Sequence, residues 1–412
     1  MQLGWVDYSR QERETIKELL KMLGDSSSLD ELGVGIVRDT ISDLLYPGTS
    51  VLHTRAKYYI LIPELFKKAM KSGLTTRSEV RRLIDADQDE IARTLRRAID
   101  EETGTKALGI IGGRSDRAVK MKPTRIYWNA LRTTGILCNP TLSYDDACGA
   151  VASYNKKNQN ITIKYETDDD AGDALDAENR GFTLFSAPCA QSIEDFLQNP
   201  TLHLTGDEAS YLREQFMHVP IMKDTLMEYC LRTKTSFADK AFLEIQSTAN
   251  MSEELKYRLK LAVEFANFIY GAYIVYNLLF WENGGENATD EEKSRLEDRY
   301  KTWKRTNIGL PHREEILNLV SGHEPYKGAL RKFLFEFEAA VKANQTDVCS
   351  VEEKNLVKGR ERFCKKEKAK IGRAEPFVET QPAPMNYRHG TGQTIISDIL
   401  SGMAKDNGEK KI

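Results

Sequence analysis

The residue types and spacing of a cluster of basic side chains around residue 120 are suited to phosphate binding. Between residues 114 and 132, six Lys or Arg residues accompany one Asp, a local excess of five positive charges. The spacing places Arg125, Asn129 and Arg132 on adjacent turns of one helix surface, which could follow the phosphates of duplex DNA. The predicted nucleic-acid-binding residues are Arg114, Arg117, Lys120, Lys122, Arg125, Asn129 and Arg132.

Two other interpretations of this basic cluster stay open. Long basic side chains also form solvated faces or cover apolar surface, and they can meet the acidic surface of another protein. A second basic segment, residues 352–373, carries nine Lys or Arg residues against four Glu, again an excess of five. The expected partner is therefore duplex DNA or a nucleic-acid-handling protein, and the alternative is a structural assembly protein that makes no nucleic-acid contact.

A second polar set lies closer to the start of the chain, on either side of the Pro47-Gly48 turn. Its members are Arg38, Asp39, Arg55 and Lys57. They could form a buried network that orients the first helices, or they could form a functional surface. A metal-dependent nuclease of an unrecognised class could use Asp39 or Asp43 together with Lys57. The sequence favours a protein without catalytic activity and leaves the enzyme as the alternative.

Known catalytic and cofactor motifs are missing from the sequence. Residues 389–394 (HGTGQT) imitate the end of a phosphate-binding loop, but Gln393 stands where the Lys belongs and no strand is predicted before it. The six His residues never form an i, i+4 pair, and the six Cys residues form no C-x-x-C pair. The sequence therefore predicts neither a cofactor nor a metal site.

The composition is that of an ordinary soluble globular chain. It has 412 residues, of which 40% are hydrophobic and 29% are charged. These values argue against collagen, a disulfide scaffold and wholesale disorder. The net charge of −3 gives no global sign of nucleic acid, so such a partner requires a local patch. No basic region followed by an apolar stretch opens the chain, and a reducing cytoplasm is the expected location.

The longest uncharged stretch is residues 265–281, which is 17 residues long. A membrane span needs about 20 apolar residues. Asn267 and Asn277 interrupt this stretch, and its Tyr residues are spread through the middle instead of marking two membrane interfaces. We therefore expect a buried helix at the centre of a bundle and no membrane contact.

Apolar spacing predicts a mainly α fold. The N-terminal helical region contains a helix over residues 10–23, and the following module resembles a winged helix, with a helix opening at Asp87 and a short strand over 106–111. Alternation predicts a second strand over 161–165. The expected segments are 1–74 (N-terminal helical region), 75–141 (basic winged-helix-like module), 142–203 (acidic irregular connection), 204–345 (bundle around a long central helix) and 346–412 (basic C-terminal segment).

Several stretches resemble a bacterial and archaeal family of unknown function. The specific ones are Leu3–Ser9 (LGWVDYS), Asp30–Asp39, Leu44–Ser50 and His53–Tyr59, and looser ones are Ile126–Trp128, Gly271–Ala272, Tyr276–Leu278, Asn386–Arg388 and Ser397–Leu400. The resemblance implies an intracellular accessory component of antiviral defence gene clusters, with helicase-like or phospholipase-D-like partner proteins. The family offers no catalytic residues, so none are transferred to this chain.

Overall fold

The chain is mainly α-helical, as its apolar spacing predicts. The structure, a computed structural model, describes residues 30–103, 109–112, 121–165, 183–186, 190–248, 250–284, 287–306, 309–320 and 324–406. Across these ranges it has 15 α-helices, two short 3-10 helices and no strand. The only strand-like pairing in the described part is an isolated antiparallel bridge between Leu137 and Phe185.

The helices form two compact units, and each unit is built from two separated stretches of chain. The first unit comprises residues 1–45 and 241–387, and the second comprises 46–240 and 388–412. The helices of the first unit are α1 (Gly35–Leu45), α9 (Phe242–Gln246), α10 (Glu253–Glu282), α11 (Asp290–Thr306), α12 (Arg313–Leu319), α13 (Glu324–Ala343) and α14 (Val351–Lys365). Those of the second unit are α2 (Tyr58–Lys71), α3 (Arg77–Thr103), α4 (Pro123–Thr133), α5 (Tyr144–Tyr165), α6 (Ile193–Gln198), α7 (Gly206–His218), α8 (Leu226–Thr233) and α15 (His389–Asp406). The 3-10 helices are Lys366–Lys368 and Pro220–Met222.

Helix α10 is the core of the first unit. The Ser252 side chain caps it by accepting a hydrogen bond from the Leu255 amide, and the helix packs against α1, α9, α11 and α14. By length and composition it could cross a membrane, but 78% of its most apolar window is buried within the protein. Its aromatic residues Phe265, Phe268 and Tyr276 are buried, which confirms the predicted central helix.

Helix α2 organises one part of the second unit. It packs against α3, α4, α5 and α6, and every residue from Tyr58 to Phe66 is buried. Pro63 lies inside α2 without ending it. The Phe66 ring contacts the rings of Trp128, Tyr144 and Phe185, so an aromatic cluster joins α2 to α4 and α5. In another part of this unit, α15 packs against α7 and α8.

The prediction of a winged-helix-like module is not supported, because the described residues show no such module. Helix α3 runs through Asp87, where a new helix was expected, since no Gly or Pro interrupts residues 77–103. Asp87 instead accepts a hydrogen bond from Lys68. Gly109–Gly112, at the end of the predicted strand, lie in turn and irregular backbone. Residues 104–108 and 113–120 lie outside the described ranges.

The predicted strand over 161–165 is wrong, because these residues form the last part of α5. The alternation there is only five residues long. By contrast, the Ser143 side chain caps the start of α5 by accepting a hydrogen bond from the Asp146 amide. Within the expected acidic connection, Tyr144–Tyr165 and Ile193–Gln198 are therefore helical. The Asp168–Asp170 run and the helix predicted over 10–23 lie outside the described residues.

Candidate functional site

Helix α4, called the basic helix below, carries the described part of the predicted nucleic-acid interface. Arg125 and Asn129 are exposed and one turn apart, and Arg132 is partly exposed on the next turn. Lys122, just before the helix, donates a hydrogen bond to Asp89, so its charge is already paired. Arg114, Arg117 and Lys120 lie outside the described residues.

The opposite side of the basic helix is fixed to the core by aromatic residues. Tyr127 is fully buried and Trp128 is 7% exposed. The Tyr127 hydroxyl accepts hydrogen bonds from the amides of Thr54 and Arg55, and the Trp128 indole donates to the Leu142 carbonyl at 2.9 Å. These two rings are therefore anchors, and they do not present their faces for stacking on nucleic-acid bases.

The second predicted polar set is divided between the two units. Arg38 and Asp39 belong to the first unit, where the Arg38 Nε lies 3.1 Å from Asp39 and both side chains are about half exposed. Arg55 and Lys57 belong to the second unit, and each engages its own carboxylate. The nuclease hypothesis needs Lys57 close to Asp39 or Asp43, whereas its ammonium is held by another residue, Glu208.

The Lys57–Glu208 pair is buried in the second unit. The ammonium lies 2.7 Å from both carboxylate oxygens, and the two side chains are 2% and 4% exposed. The Glu208 carboxylate also accepts a hydrogen bond from the Thr205 amide, completing a capping box at the start of α7. The T-x-x-E pattern of Thr205–Glu208 signals the helix start, but nothing in the sequence pairs Glu208 with a Lys 151 residues away.

A cavity of about 700 Å³ lies in the second unit, and we call it the His53 cavity. Chain segments far apart in sequence form it: residues 53–55, Gly109, Ala238 and the first three turns of α15. Arg55 binds both carboxylate oxygens of Asp398, which also accepts a hydrogen bond from the Ala56 amide at 2.8 Å. The complete lining is His53, Thr54, Arg55, Gly109, Ala238, Gly390, Thr391, Gln393, Thr394, Ser397 and Asp398.

A buried hydrogen-bond network beside the cavity fixes the start of α15. The His389 Nε2 lies 2.9 Å from the Phe237 carbonyl, which only accepts, so Nε2 carries the proton. The His389 Nδ1 then accepts from the Tyr46 hydroxyl at 2.6 Å, and Gln393 donates to that hydroxyl at 3.0 Å. Burial lowers the pKa of His389, which favours this neutral tautomer.

His53 is a second neutral imidazole at the cavity. Its ring stacks on Tyr127 with a centroid distance of 4.1 Å, and its Nε2 donates to the Ile126 carbonyl at 3.0 Å. Burial lowers the pKa of His53 to about 4. Its Nδ1 is buried and has no hydrogen-bond partner among the described residues, so it is an unused acceptor.

A close backbone approach explains one of the glycines in HGTGQT. A Cβ atom on Gly392 would lie 2.2 Å from Cδ1 of Tyr46. Gly392 thus lets α15 pack directly on the Tyr46 ring, while Gln393, in the place of a phosphate-binding Lys, is 1% exposed and belongs to the buried network. Tyr46 and His53 are more than 300 residues away from this stretch along the chain, so no local sequence pattern indicates that they lie beside it.

Comparison with known proteins adds a partial family match. Residues 1–159 match the sequence model of a family of unknown function (DUF6361). The match covers less than half of the chain, and it includes His53, Arg55 and the basic helix but not Glu208, His389 or Asp398. No curated protein and no solved structure matches the chain. Within the described ranges, no group of three or more His, Cys, Asp or Glu residues could hold a metal ion.

Proposed function

We propose that this protein is a non-catalytic accessory component of a bacterial defence-type assembly, and that the basic helix contacts duplex DNA. One observation carries the proposal: the basic helix exposes Arg125 and Asn129, with Arg132 partly exposed on the next turn, and none of its 11 residues is acidic. The defence assembly, with its helicase-like or phospholipase-D-like partners, rests on the family resemblance of the N-terminal motifs.

The rigid attachment of the basic helix supports its use as a contact surface. Its buried side is held by Tyr127, Trp128 and by a hydrogen bond from the Thr124 amide to Gln88. Exposed Arg side chains on a fixed helix can contact phosphates with little reorganisation, and Asn can form paired hydrogen bonds with adenine in the major groove. Lys122 contributes less, because its ammonium is paired with Asp89.

The proposal is tested by binding of a labelled duplex at ~50 mM salt, where contacts to phosphate are strong. The test variant is Arg125→Gln with Arg132→Gln. The second substitution is mild for folding, because the Arg132 Nε is a buried donor with no partner in the described part of the chain. The matched control is Arg305→Gln with Lys332→Gln, two basic side chains of the first unit that are 67% and 74% exposed.

Both double variants remove two positive charges, but from different surfaces. The control also breaks two exposed ion pairs, Arg305 with Asp347 and Lys332 with Glu336. The proposal predicts weaker binding for the Arg125 and Arg132 variant and wild-type binding for the control. Equally weakened duplex binding by both variants would show that only the total charge of the protein matters. An absence of duplex binding by the wild type would contradict DNA contact. Co-purification of a partner protein that survives nuclease treatment, and is lost in the same variant, would assign the basic helix to a protein partner.

A further inference from the structure

We propose that the His53 cavity binds a phosphate-bearing small molecule at the start of α15. This inference does not depend on the basic helix, because it uses a different surface of the second unit and a different class of ligand. It rests on unused hydrogen-bond donors, an unused buried acceptor and the balance of charge around the cavity.

The donors come from the first turn of α15. This 18-residue helix has no acidic residue in its first turn, and its first intrahelical-type bond runs from the Gly392 amide to the Arg388 carbonyl. Gly390 and Thr391 line the cavity, and their amides, which precede that bond, have no acceptor among the described residues. Free amides at a helix start, together with the positive end of its dipole, favour a phosphate group.

The second, independent observation is His53. It lines the same cavity, is only 4% exposed, and its Nδ1 has no hydrogen-bond partner in the part of the chain that is described. A buried polar atom without a partner is costly unless a ligand or water supplies one. With Nε2 committed to the Ile126 carbonyl, Nδ1 can accept a hydrogen bond from a ligand hydroxyl or N–H group.

The charge and size of the cavity agree with this ligand class. Arg55 and Asp398 are the charged lining residues, and they neutralise each other through a bidentate pair. The helix start therefore sets the sign of the local potential, which favours an anion. A volume of about 700 Å³ is sufficient for a mononucleotide as well as for a free phosphate ion.

This arrangement differs from a phosphate-binding loop with a Lys. In HGTGQT the fifth residue, Gln393, points its amide at the Tyr46 hydroxyl and accepts from the Phe237 amide at 2.7 Å, so it holds the helix start in place. Backbone amides, and not a side-chain cation, would bind the phosphate. Binding is therefore expected to be modest in affinity and sensitive to any negative charge placed at residue 390.

Gly390 offers a substitution that tests the site without disturbing the fold. A Cβ atom at Gly390 would have no atom within 4 Å, so a small side chain can be introduced there. Gly390→Asp places a carboxylate beside the free amides, and an acidic residue in the first turn stabilises a helix. Gly390→Asn is the uncharged control of the same shape. Gly359→Asp, at another open glycine in the first unit, controls for the change in total charge.

The experiment is calorimetric titration of the full chain with inorganic phosphate, adenosine monophosphate and adenosine. We expect binding of at least one phosphate-bearing probe and none of adenosine. We also expect Gly390→Asp to weaken that binding by at least about tenfold, which corresponds to ~1.4 kcal/mol, while Gly390→Asn and Gly359→Asp retain it. Binding of phosphate alone would assign the site to the free ion, and tighter binding of the monophosphate would assign it to a phosphate monoester. Equal binding of adenosine, equal loss in the Asn variant, or no binding of any probe would overturn the proposal.

Discussion

At the scale of single residues, the packing of the second unit depends on a close contact between a backbone position and a buried ring. Gly392 packs on the Tyr46 ring, and a Cβ atom there would lie 2.2 Å from the ring. Tyr46 is fully buried and hydrogen-bonded to His389 and Gln393, so it cannot move aside without breaking these bonds. A methyl group at residue 392 therefore requires a shift of α15 or of the ring.

We expect Gly392→Ala to lower the free energy of unfolding by about 1–3 kcal/mol, the usual range for overpacking a tight core. Gly390→Ala is the matched control two residues earlier in the same helix, where a Cβ atom meets nothing within 4 Å. Urea unfolding of both variants measures the difference. Equal stability of the two variants would show that the Tyr46 ring accommodates the methyl group.

His53 gives a prediction about pH. Burial lowers its pKa to about 4, whereas a His in the unfolded chain titrates near the ordinary value of 6.5. Between these values the unfolded chain binds a proton that the folded protein excludes, so the free energy of unfolding decreases as the pH falls from 6.5 to 4. The contribution of His53 to this decrease is about 3 kcal/mol, at 1.36 kcal/mol for each pKa unit.

The comparison with His53→Asn isolates this contribution, because other groups titrate in the same window in both proteins. The stability difference between wild type and variant should be largest above pH 6.5 and should shrink toward pH 4. Nitrogen chemical shifts of His53 provide a direct check, since the ring should stay neutral at pH 5 with its proton on Nε2. A His53 ring that is protonated at pH 6 would contradict the buried geometry.

At the scale of helices, unambiguous local signals in the sequence agree with the observed element positions, and ambiguous or short ones gave wrong predictions. The Pro123 start of the basic helix, the Ser252 cap of α10 and the end of α1 before Pro47-Gly48 are each set by neighbouring residues. The expected break at Asp87 was wrong, because an Asp can open a helix but equally remains inside one when a Lys from another helix pairs with it. Apolar alternation over 161–165 covers only five residues, and these residues continue helix α5.

The contact between α2 and α7 gives a prediction at this scale. Lys57 immediately precedes α2, and Glu208 lies in the first turn of α7, so their buried pair joins the two elements. Lys57→Met leaves the Glu208 carboxylate buried without its cation, which is expected to cost about 3–5 kcal/mol in the free energy of unfolding.

Adding Glu208→Gln to Lys57→Met should recover part of this loss. The Gln side chain removes the unpaired charge and can still bond to the Thr205 amide as part of a capping box. A double-mutant cycle, measured by chemical denaturation, gives the coupling between the two residues. Additive effects of the two substitutions would mean that the pair does not stabilise the packing of α2 and α7.

At the scale of the whole molecule, the sequence predicted the helical class but not which distant segments come together. Each unit combines two stretches of chain, and the His53 cavity joins residues 53–55 to residues 390–398. Apolar spacing and caps describe neighbours along the chain, so they carry no information on such pairings. Helical spacing predicts that Arg125, Asn129 and Arg132 share one helix surface. It does not predict the carboxylate partners of Arg55 and Lys57.

The central claim is that the basic helix contacts the phosphates of duplex DNA, and the salt dependence of binding tests it most directly. Fluorescence anisotropy of a labelled duplex gives the affinity of the full chain over a series of salt concentrations. If Arg125 and Arg132 each contact a phosphate, the slope of log affinity against log salt should be about 1.8 smaller in magnitude for Arg125→Gln with Arg132→Gln than for the wild type. The Arg305→Gln with Lys332→Gln control should keep the wild-type slope. An identical slope for all three proteins, or no measurable binding at ~50 mM salt, would contradict the claim.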